Sequence, residues 1–318
     1  MILYLEIIIG FLLDCVFGDP HEITHPVQRI GAYISFMDKK CRKWANGSAK
    51  KEVWAGGFLL LTTVGFTYGI TWLLVTLAGF VHPIAQILVE SYLIYRILAS
   101  KSLMTETMKV YEKLKKDDLV GARKAVSYLV GRDTEHLTKE EVAKATVETI
   151  AENTSDGVIA PLFFIAIGGA PLGMAYKAIN TLDSMVGYRN ETYEYLGKCS
   201  ARCDDLVNLI PARISALLMV GVSVLLGYDG RKAMEVYARD RYKHLSPNSA
   251  QTESVVAGAL NIQLGGTHTY FGKPVVKPTI GDDIRQIEWM DIKRTNYMMY
   301  GTTIFMILCI GLLYTVLY

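Results

Sequence analysis

The chain has 318 residues, a net charge of +2, a mean hydropathy of +0.24, and 51% hydrophobic against 20% charged residues. This is more apolar than a soluble domain of its length, and the apolar residues are clustered, which excludes a soluble globular protein. The near-neutral balance gives no nucleic-acid signal, and the local charge pattern says more.

Residues 1–17 are apolar apart from Glu6 and Asp14. They lack a basic leading region and a small-residue cleavage site, so they are expected to be a retained span. Lys39, Lys40, Arg42, Lys43, Lys50 and Lys51 come next. Residues 55–80 then carry no charge, a run long enough to cross a hydrocarbon core of about 30 Å. Residues 81–99 are apolar except for Glu90 and Arg96, and Lys101, Lys109, Lys113, Lys115 and Lys116 follow. The positive-inside rule places both basic segments in the cytoplasm and the turn near Gly79–Pro83 outside.

Residues 100–153 are predicted to form a cytoplasmic helical segment. Asp117–Leu129 is amphipathic, Gly131 suits a helix stop, and Thr138 with Glu141 forms a capping box for a helix carrying Glu148 and Glu152. No run alternates with period two, so strands are expected to be few. Residues 157–179 are apolar but broken at Gly168-Gly169-Ala170-Pro171, a break tolerated in a membrane where it lines a cavity or is buried in protein. N-T-x-D tetrads flank the run at 153–156 and 180–183, which predicts a re-entrant hairpin bringing both tetrads to one side. Residues 214–226 are short for a span and suit a half-helix. Residues 299–318 form a last uncharged run, with Tyr300, Tyr314 and Tyr318 as interfacial anchors. The predicted fold is an all-α integral membrane protein, one membrane domain over 1–318. It has about four spans with outside termini, broken or re-entrant apolar segments, and cytoplasmic segments at 100–153 and 227–297.

The acidic pattern raises the chemical question. Glu148, Glu152 and Asp156 recur every four residues, a spacing that stacks like charges on one helical stripe. A solvated face is the bland reading. Further polar clusters lie at Lys177–Glu191, at Arg202–Arg213 with Asp204, Asp205 and Asn208, at Asp240–Glu253 with His244, Ser246 and Asn248, and at Gly265–Asp283 with His268. Carboxylates mixed with Asn and Ser suit Mg²⁺, which takes oxygen ligands and shares its shell with phosphate. The neighbouring Lys and Arg suit the phosphate itself. Ser246-Pro247-Asn248 before a helix would aim backbone N–H groups at an anion. Against these stand plainer readings: Asp204-Asp205 as a helix cap, His244 and His268 as satisfied polar residues, Gly265-Gly266 as a turn. There is no P-loop; Gly197-Lys198-Cys199 fails at the first glycine and at the last position. The five cysteines include no C-x-x-C pair, and Cys199 and Cys203 lack a neighbouring His pair, so buried free thiols are expected. The residues thus point to a membrane-embedded enzyme handling Mg²⁺ and phosphate from the cytoplasm, with no substrate named.

Several long stretches together resemble one family. They are GDPHEITHPVQRIG (18–31), RDTEHL, VETIAENTSDGVIAPLFF, GGAPLGMAYKAINTLDSMVGYRNE, ARCDDLVNLIPAR, SPNSAQTESVVAGALNIQLGG and TYFGKP, in order across most of the chain. The sequence resembles the adenosylcobinamide-phosphate synthases, the CbiB/CobD membrane proteins of cobalamin biosynthesis. Thr252 before Glu253 departs from the proline common there. The resemblance implies ATP- and Mg²⁺-dependent amide formation between a propionate of adenosylcobyric acid and aminopropanol or its phosphate, in the cell membrane with the site facing the cytoplasm. The corrinoid would bring its own cobalt, and self-association is left open. On this reading Glu152, Asn153 and Asp156 would hold Mg²⁺ opposite Asn180 and Asp183, with Asp156 and Asp183 also acting in catalysis. Lys177, Arg189, Arg202 and Arg213 would bind ATP or phosphate, His244 would be the base, and Ser246 and Asn248 would bind phosphate or a corrin amide. Two rivals are weighed. An intramembrane prenyl or phosphoalcohol transferase should show D-x-x-x-D or D-D-x-x-D clusters, which Asp204-Asp205 and Asp282-Asp283 do not extend into. A transporter should carry its charges deep within spans, whereas here the richest polar clusters lie at span ends.

Overall fold

The computed structural model describes residues 1–20, 24–188, 192–270 and 272–317. In chain order the elements are α1 (Ile2–Phe17), α2 (Pro26–Ala45), α3 (Ala49–Val81), α4 (Pro83–Ile97), α5 (Ser100–Lys115), α6 (Leu119–Val126) and α7 (Lys139–Asn153). A π-helical turn, Thr154–Ile159, leads into α8 (Ala160–Val186), α9 (Lys198–Val207), α10 (Leu209–Leu225), α11 (Gly230–Asp240) and α12 (Ser249–Leu260). Strands β1 (Leu264–Tyr270) and β2 (Lys273–Ile280) precede α13 (Trp289–Leu317). The fold is therefore helical, as expected.

Three helical stretches, Ala49–Val81, Lys139–Val186 and Trp289–Leu317, are long and apolar enough to cross a membrane, and α9 with α10 as a broken pair raises the number to four. This fits a multi-pass membrane protein. The expected spans at 1–17 and 81–99 are helical but short, at 16 and 15 residues, against the roughly 20 that a perpendicular crossing needs. The chain divides into two compact units.

The first unit holds residues 1–99, 160–208 and 310–318. α1 packs closely on α4: a Cβ on Gly10 would lie 2.5 Å from Ile94 Cγ2, the close approach small residues allow between membrane helices. α2 and α3 form a helical hairpin whose turn places Asn46 and Gly47 at φ 50° and 73°. Ile34, Leu59, Ala178, Leu182 and Leu196 form the core that joins α2, α3 and α8.

α8 is bent back on itself. Gly169 takes φ 66°, and neither it nor Gly168 is helical. The rings of Phe164 and Tyr176 stack with centroids 5.1 Å apart, whereas twelve residues of straight helix would separate them by about 18 Å. A Cβ on Gly173 would lie 2.5 Å from Ile165 Cγ1, so the arms touch through a glycine. The break frees the Ala170 N–H, and the buried Glu90 accepts it at 3.0 Å, supplying the partner that irregular backbone requires at membrane depth. The expected reversal at the Gly-Pro break is present, and the tetrads it was expected to bring to one side fall one in each unit.

The second unit holds residues 100–159 and 209–309, and so contains both segments expected to be cytoplasmic. Every residue of α12 is buried. α11 crosses it at Gly258, where a Cβ would lie 2.5 Å from Lys232 O. α7 starts with the expected capping box of Thr138 and Glu141. The antiparallel β1–β2 hairpin has a bulge between Gly265 and Thr267. Gly265 and Gly266 sit at φ 72° and 95°, values glycine adopts freely. The glycine pair is thus a strand bulge.

Candidate active site

A cavity of about 160 Å³ opens in the second unit, lined by charged and polar side chains from α7, α12, β1, β2 and the loops before α7 and α12. Glu148, Glu152 and Asn153 reach it from α7, Glu253 from α12, and His268 and Lys277 from the β-hairpin. Arg132 and His244 complete it from the loops. Glu148 is fully engaged: Oε2 takes Arg132 Nη2 at 2.5 Å and Oε1 takes the Gly265 N–H at 2.8 Å. It therefore ties the hairpin bulge to α7. Ser249 Oγ donates to Glu152 Oε1 at 2.8 Å, linking the start of α12 to the cavity wall. Asn153 Nδ2 donates to Thr149 O at 2.9 Å, which directs its amide oxygen away from that bond.

The charge state follows from burial and neighbours. Burial, reinforced by Glu148 and Glu152, raises the Glu253 carboxyl well above its ordinary value. Burial and then Arg132 lower His268 to about 4. Burial lowers His244 as well, with Lys277 adding to the shift. Both histidines are therefore neutral near pH 7. The Ser246 N–H donates to His244 Nδ1 at 3.1 Å, so in the neutral ring Nε2 carries the proton. Lys277 Nζ lies 3.5 Å from that Nε2. Two donor groups side by side, with Arg132 also lining the cavity, suit an anion. Glu152, and Glu253 where it ionises, give the same cavity groups suited to a cation.

The α7 acidic stripe divides here. Glu148 and Glu152 line the cavity, but Asp156 does not. Asp156 lies in the π-helical turn, whose i→i+5 bonding widens the turn and ends the four-residue stripe. Arg213, Ser246 and Asn248 form a supporting group in the same unit. Arg213 Nη1 donates to Leu209 O at 2.7 Å and lies 3.4 Å from Asn248 Oδ1, and the Asn248 N–H meets Ser246 Oγ at 3.3 Å. α12 begins directly after this loop, with Asn248 at its N-cap, as the sequence led us to expect.

The remaining predicted residues lie in the first unit. Asn180 hydrogen-bonds to Asp204. Asp204 Oδ2 accepts from Asn208 Nδ2 at 3.0 Å, and Asn208 Oδ1 accepts from Tyr176 OH at 2.9 Å. Asp204 is thus an interior member of an amide network and does not cap α10. Lys177 lies one turn before Asn180 on α8, and Asp183 sits against Gly187, where any Cβ would strike its carboxylate. Arg202 lines a separate cavity of about 280 Å³ with Tyr188, Tyr193, Lys198 and Asp205. Arg189 falls outside the described residues. Among the described residues, no group of three His, Cys, Asp or Glu side chains converges as a ready metal site. Sequence reasoning passed over Arg132 and Lys277, the cations that answer the α7 carboxylates; the only pointer was Arg132 at the head of RDTEHL.

Fold and site together define a helical membrane protein with a compact, charge-lined polar cavity. The family model for the CobD/CbiB protein matches residues 7–299. Cobalamin biosynthesis protein CobD of Geobacter metallireducens is 48% identical over 311 residues, covering 98% of this chain and 96% of that protein. CobD of Clostridium perfringens is 49% identical over 295 residues, with 93% of each covered. Cobalamin biosynthesis protein CbiB of Salmonella arizonae is 46% identical over 295 residues, covering 93% and 92%. No solved structure matches the chain significantly. The chain belongs to the CobD/CbiB family, and its role lies in cobalamin biosynthesis.

Proposed function

We propose that the protein is an amide ligase that joins a propionate carboxylate of adenosylcobyric acid to the amine of aminopropanol phosphate, using ATP and Mg²⁺. The observation that carries this reading is the double character of the second-unit cavity: Arg132, His244 and Lys277 line it together with Glu152 and Glu253, within about 160 Å³. That volume suits a small amino-alcohol phosphate and is far too small for a corrin. The cationic group fits the phosphate and the carboxylates fit the ammonium. Free aminopropanol would bring no anion to the donors of Arg132, His244 and Lys277, so the cavity favours the phosphorylated amine.

A carboxylate does not react with an amine until one oxygen becomes a leaving group. In the proposed reaction the propionate oxygen takes the γ-phosphoryl of ATP, giving an acyl phosphate and ADP. The amine nitrogen then attacks the acyl carbon, the C–N bond forms, inorganic phosphate leaves, and the ammonium proton passes to a base. Glu253 suits that role. Burial and its acidic neighbours hold it neutral at rest, and a substrate ammonium beside it would offset the repulsion and let it ionise. The His244 Nε2–H, beside Lys277, serves as a phosphate donor instead of a base. Arg132, fixed by Glu148, positions the same phosphate.

The donor set fits Mg²⁺ in a restricted way. Glu152 and the Asn153 amide oxygen supply two oxygens, and Mg²⁺ commonly takes one or two protein carboxylates with phosphate and water completing its shell. When bound, the ion would neutralise charge on the phosphoryl groups. A cytoplasmic site in the cell membrane is consistent with the basic segments Lys39–Lys51 and Lys101–Lys116 under the positive-inside rule.

The test is reconstitution of detergent-purified protein with adenosylcobyric acid, aminopropanol phosphate, ATP and Mg²⁺, with mass spectrometry of the corrinoid. The expected product gains aminopropanol phosphate only when both ATP and Mg²⁺ are present. Intact substrates with folded protein, repeated with free aminopropanol, would overturn the reading.

A further inference from the structure

The turn between α2 and α3 carries a feature that the ligation chemistry does not use. Met37, Lys40, Cys41 and Trp44 of α2 face Trp54 and Phe58 of α3 across a groove of about 450 Å³. Its walls are apolar, yet Trp44 and Trp54 are 60% and 70% exposed. Burying that much aromatic surface is favourable, so the groove is suited to a ligand.

The surrounding charge says what kind. Lys39, Lys40, Lys43, Lys50 and Lys51 are all exposed around the turn. None of the five enters an ion pair among the described residues. Arg42, by contrast, is held by Asp38 at 2.9 Å and by Thr192 O at 2.8 Å. Lys40 Nζ sits 4.3 Å above the Phe36 ring, which keeps its charge at the rim. In the other direction α3 carries no charge from Val53 to its end at Val81. The groove is therefore cationic at one end and continuous with a membrane-spanning apolar surface at the other. Tryptophans at the junction are typical of the membrane–water interface.

We propose that this groove binds an anionic glycerophospholipid, its phosphate headgroup among Lys40, Lys43 and Lys51 and an acyl chain against Trp44, Trp54 and Phe58. The chemistry is that of a polybasic segment beside a span, which attracts acidic lipid headgroups. The apolar wall adds a chain contact that a diffuse surface charge would not.

The four tryptophans of the chain make the test direct. In a Trp72→Phe/Trp289→Phe background, Trp44 and Trp54 alone report on lipid. The protein is reconstituted in mixed vesicles containing either brominated phosphatidylglycerol or brominated phosphatidylcholine, and fluorescence quenching is titrated against mole fraction. The expected result is preferential quenching by the anionic lipid by roughly 30- to 150-fold in apparent affinity, the scale set by two or three lysines at an acidic headgroup. Lys40→Gln/Lys43→Gln/Lys51→Gln should abolish the preference while leaving the circular dichroism spectrum unchanged, since all three side chains are exposed. Equal quenching by both lipids overturns the proposal. So does protection from both, which would mean that a second copy of the chain covers the groove, or protection conferred by adenosylcobyric acid.

Discussion

Two acidic centres, one in each unit, hold their carboxylates by different means. In the second unit, Glu148 is held by a guanidinium and a backbone N–H, and Lys277 lines the same cavity. In the first, Asp204 is held by the amides of Asn180 and Asn208, with Tyr176 behind them. The two N-T-x-D tetrads follow the same division. Their threonines behave alike, Thr154 bonding Ile150 O and Thr181 bonding Lys177 O, each at 2.7 Å. Their aspartates sit on different backbone, since the first tetrad runs into a π-helical turn and the second stays in regular α-helix. One four-residue pattern therefore yields two geometries. A centre built on paired full charges suits charged, exchanging ligands, whereas an amide network suits a fixed arrangement.

The contrast can be broken most decisively at Arg132. Arg132→Met leaves Glu148 buried without its counter-ion and is expected to cost about 3–5 kcal/mol, the range for removing one partner of a buried pair. Asn208→Leu in the amide centre should cost less, about 1–3 kcal/mol. Thermal unfolding of both variants compares them, and equal losses would erase the distinction. Next comes a pair of isosteric changes around α7. Glu253→Gln should keep the fold and, with Glu152 still facing the ammonium, most of the aminopropanol-phosphate binding, but lower the ligation rate by about 100-fold or more, the range for a general base. Asp156→Asn, outside the cavity, should lower it by less than about 10-fold; the reverse order would return the catalytic centre to the tetrad.

A smaller effect is graded by pH. His268 titrates at about 4 in the folded protein against about 6.5 ordinarily. Between these values the unfolded chain binds the extra proton, so this group's stabilisation is complete above pH 6.5 and is lost as pH falls toward 4. Glu253, shifted upward, contributes with the opposite sign, its share being lost as pH rises. The difference between wild type and His268→Gln isolates the histidine: the wild-type Tm should fall more steeply than the variant's from pH 7 to 4.5. Parallel curves would place His268 outside the charged centre. The smallest expected change is Thr138→Ala, which removes the α7 cap for about 1 kcal/mol and should leave both centres chemically intact.

Local rules carried much of the fold into the sequence. Thr138 and Glu141 announce α7 because a capping box needs only four residues. Gly168-Gly169-Ala170-Pro171 announces the reversal because the break is written in the backbone's own preferences. Three features escaped for physical reasons. The β-hairpin has two glycines in a bulge and prolines at 274 and 278, so alternation never emerges. The π-helical turn shifts Asp156 off a stripe that the four-residue spacing had drawn. Arg132 and Lys277 reach Glu148 and its cavity from 16 and 129 positions away along the chain, a distance that spacing arguments do not cross.

The bend in α8 also bears on the order in which the protein is made. Its first arm, residues 160–167, rises only about 12 Å, less than half of a bilayer core. The arm alone is an apolar segment too short to cross, and the Ala170 N–H that follows it needs an acceptor from outside the helix. The acceptor, Glu90, is synthesised 80 residues before Ala170. The acceptor for the break is therefore already in the chain when the second arm is made, so the turn can be capped as soon as it emerges.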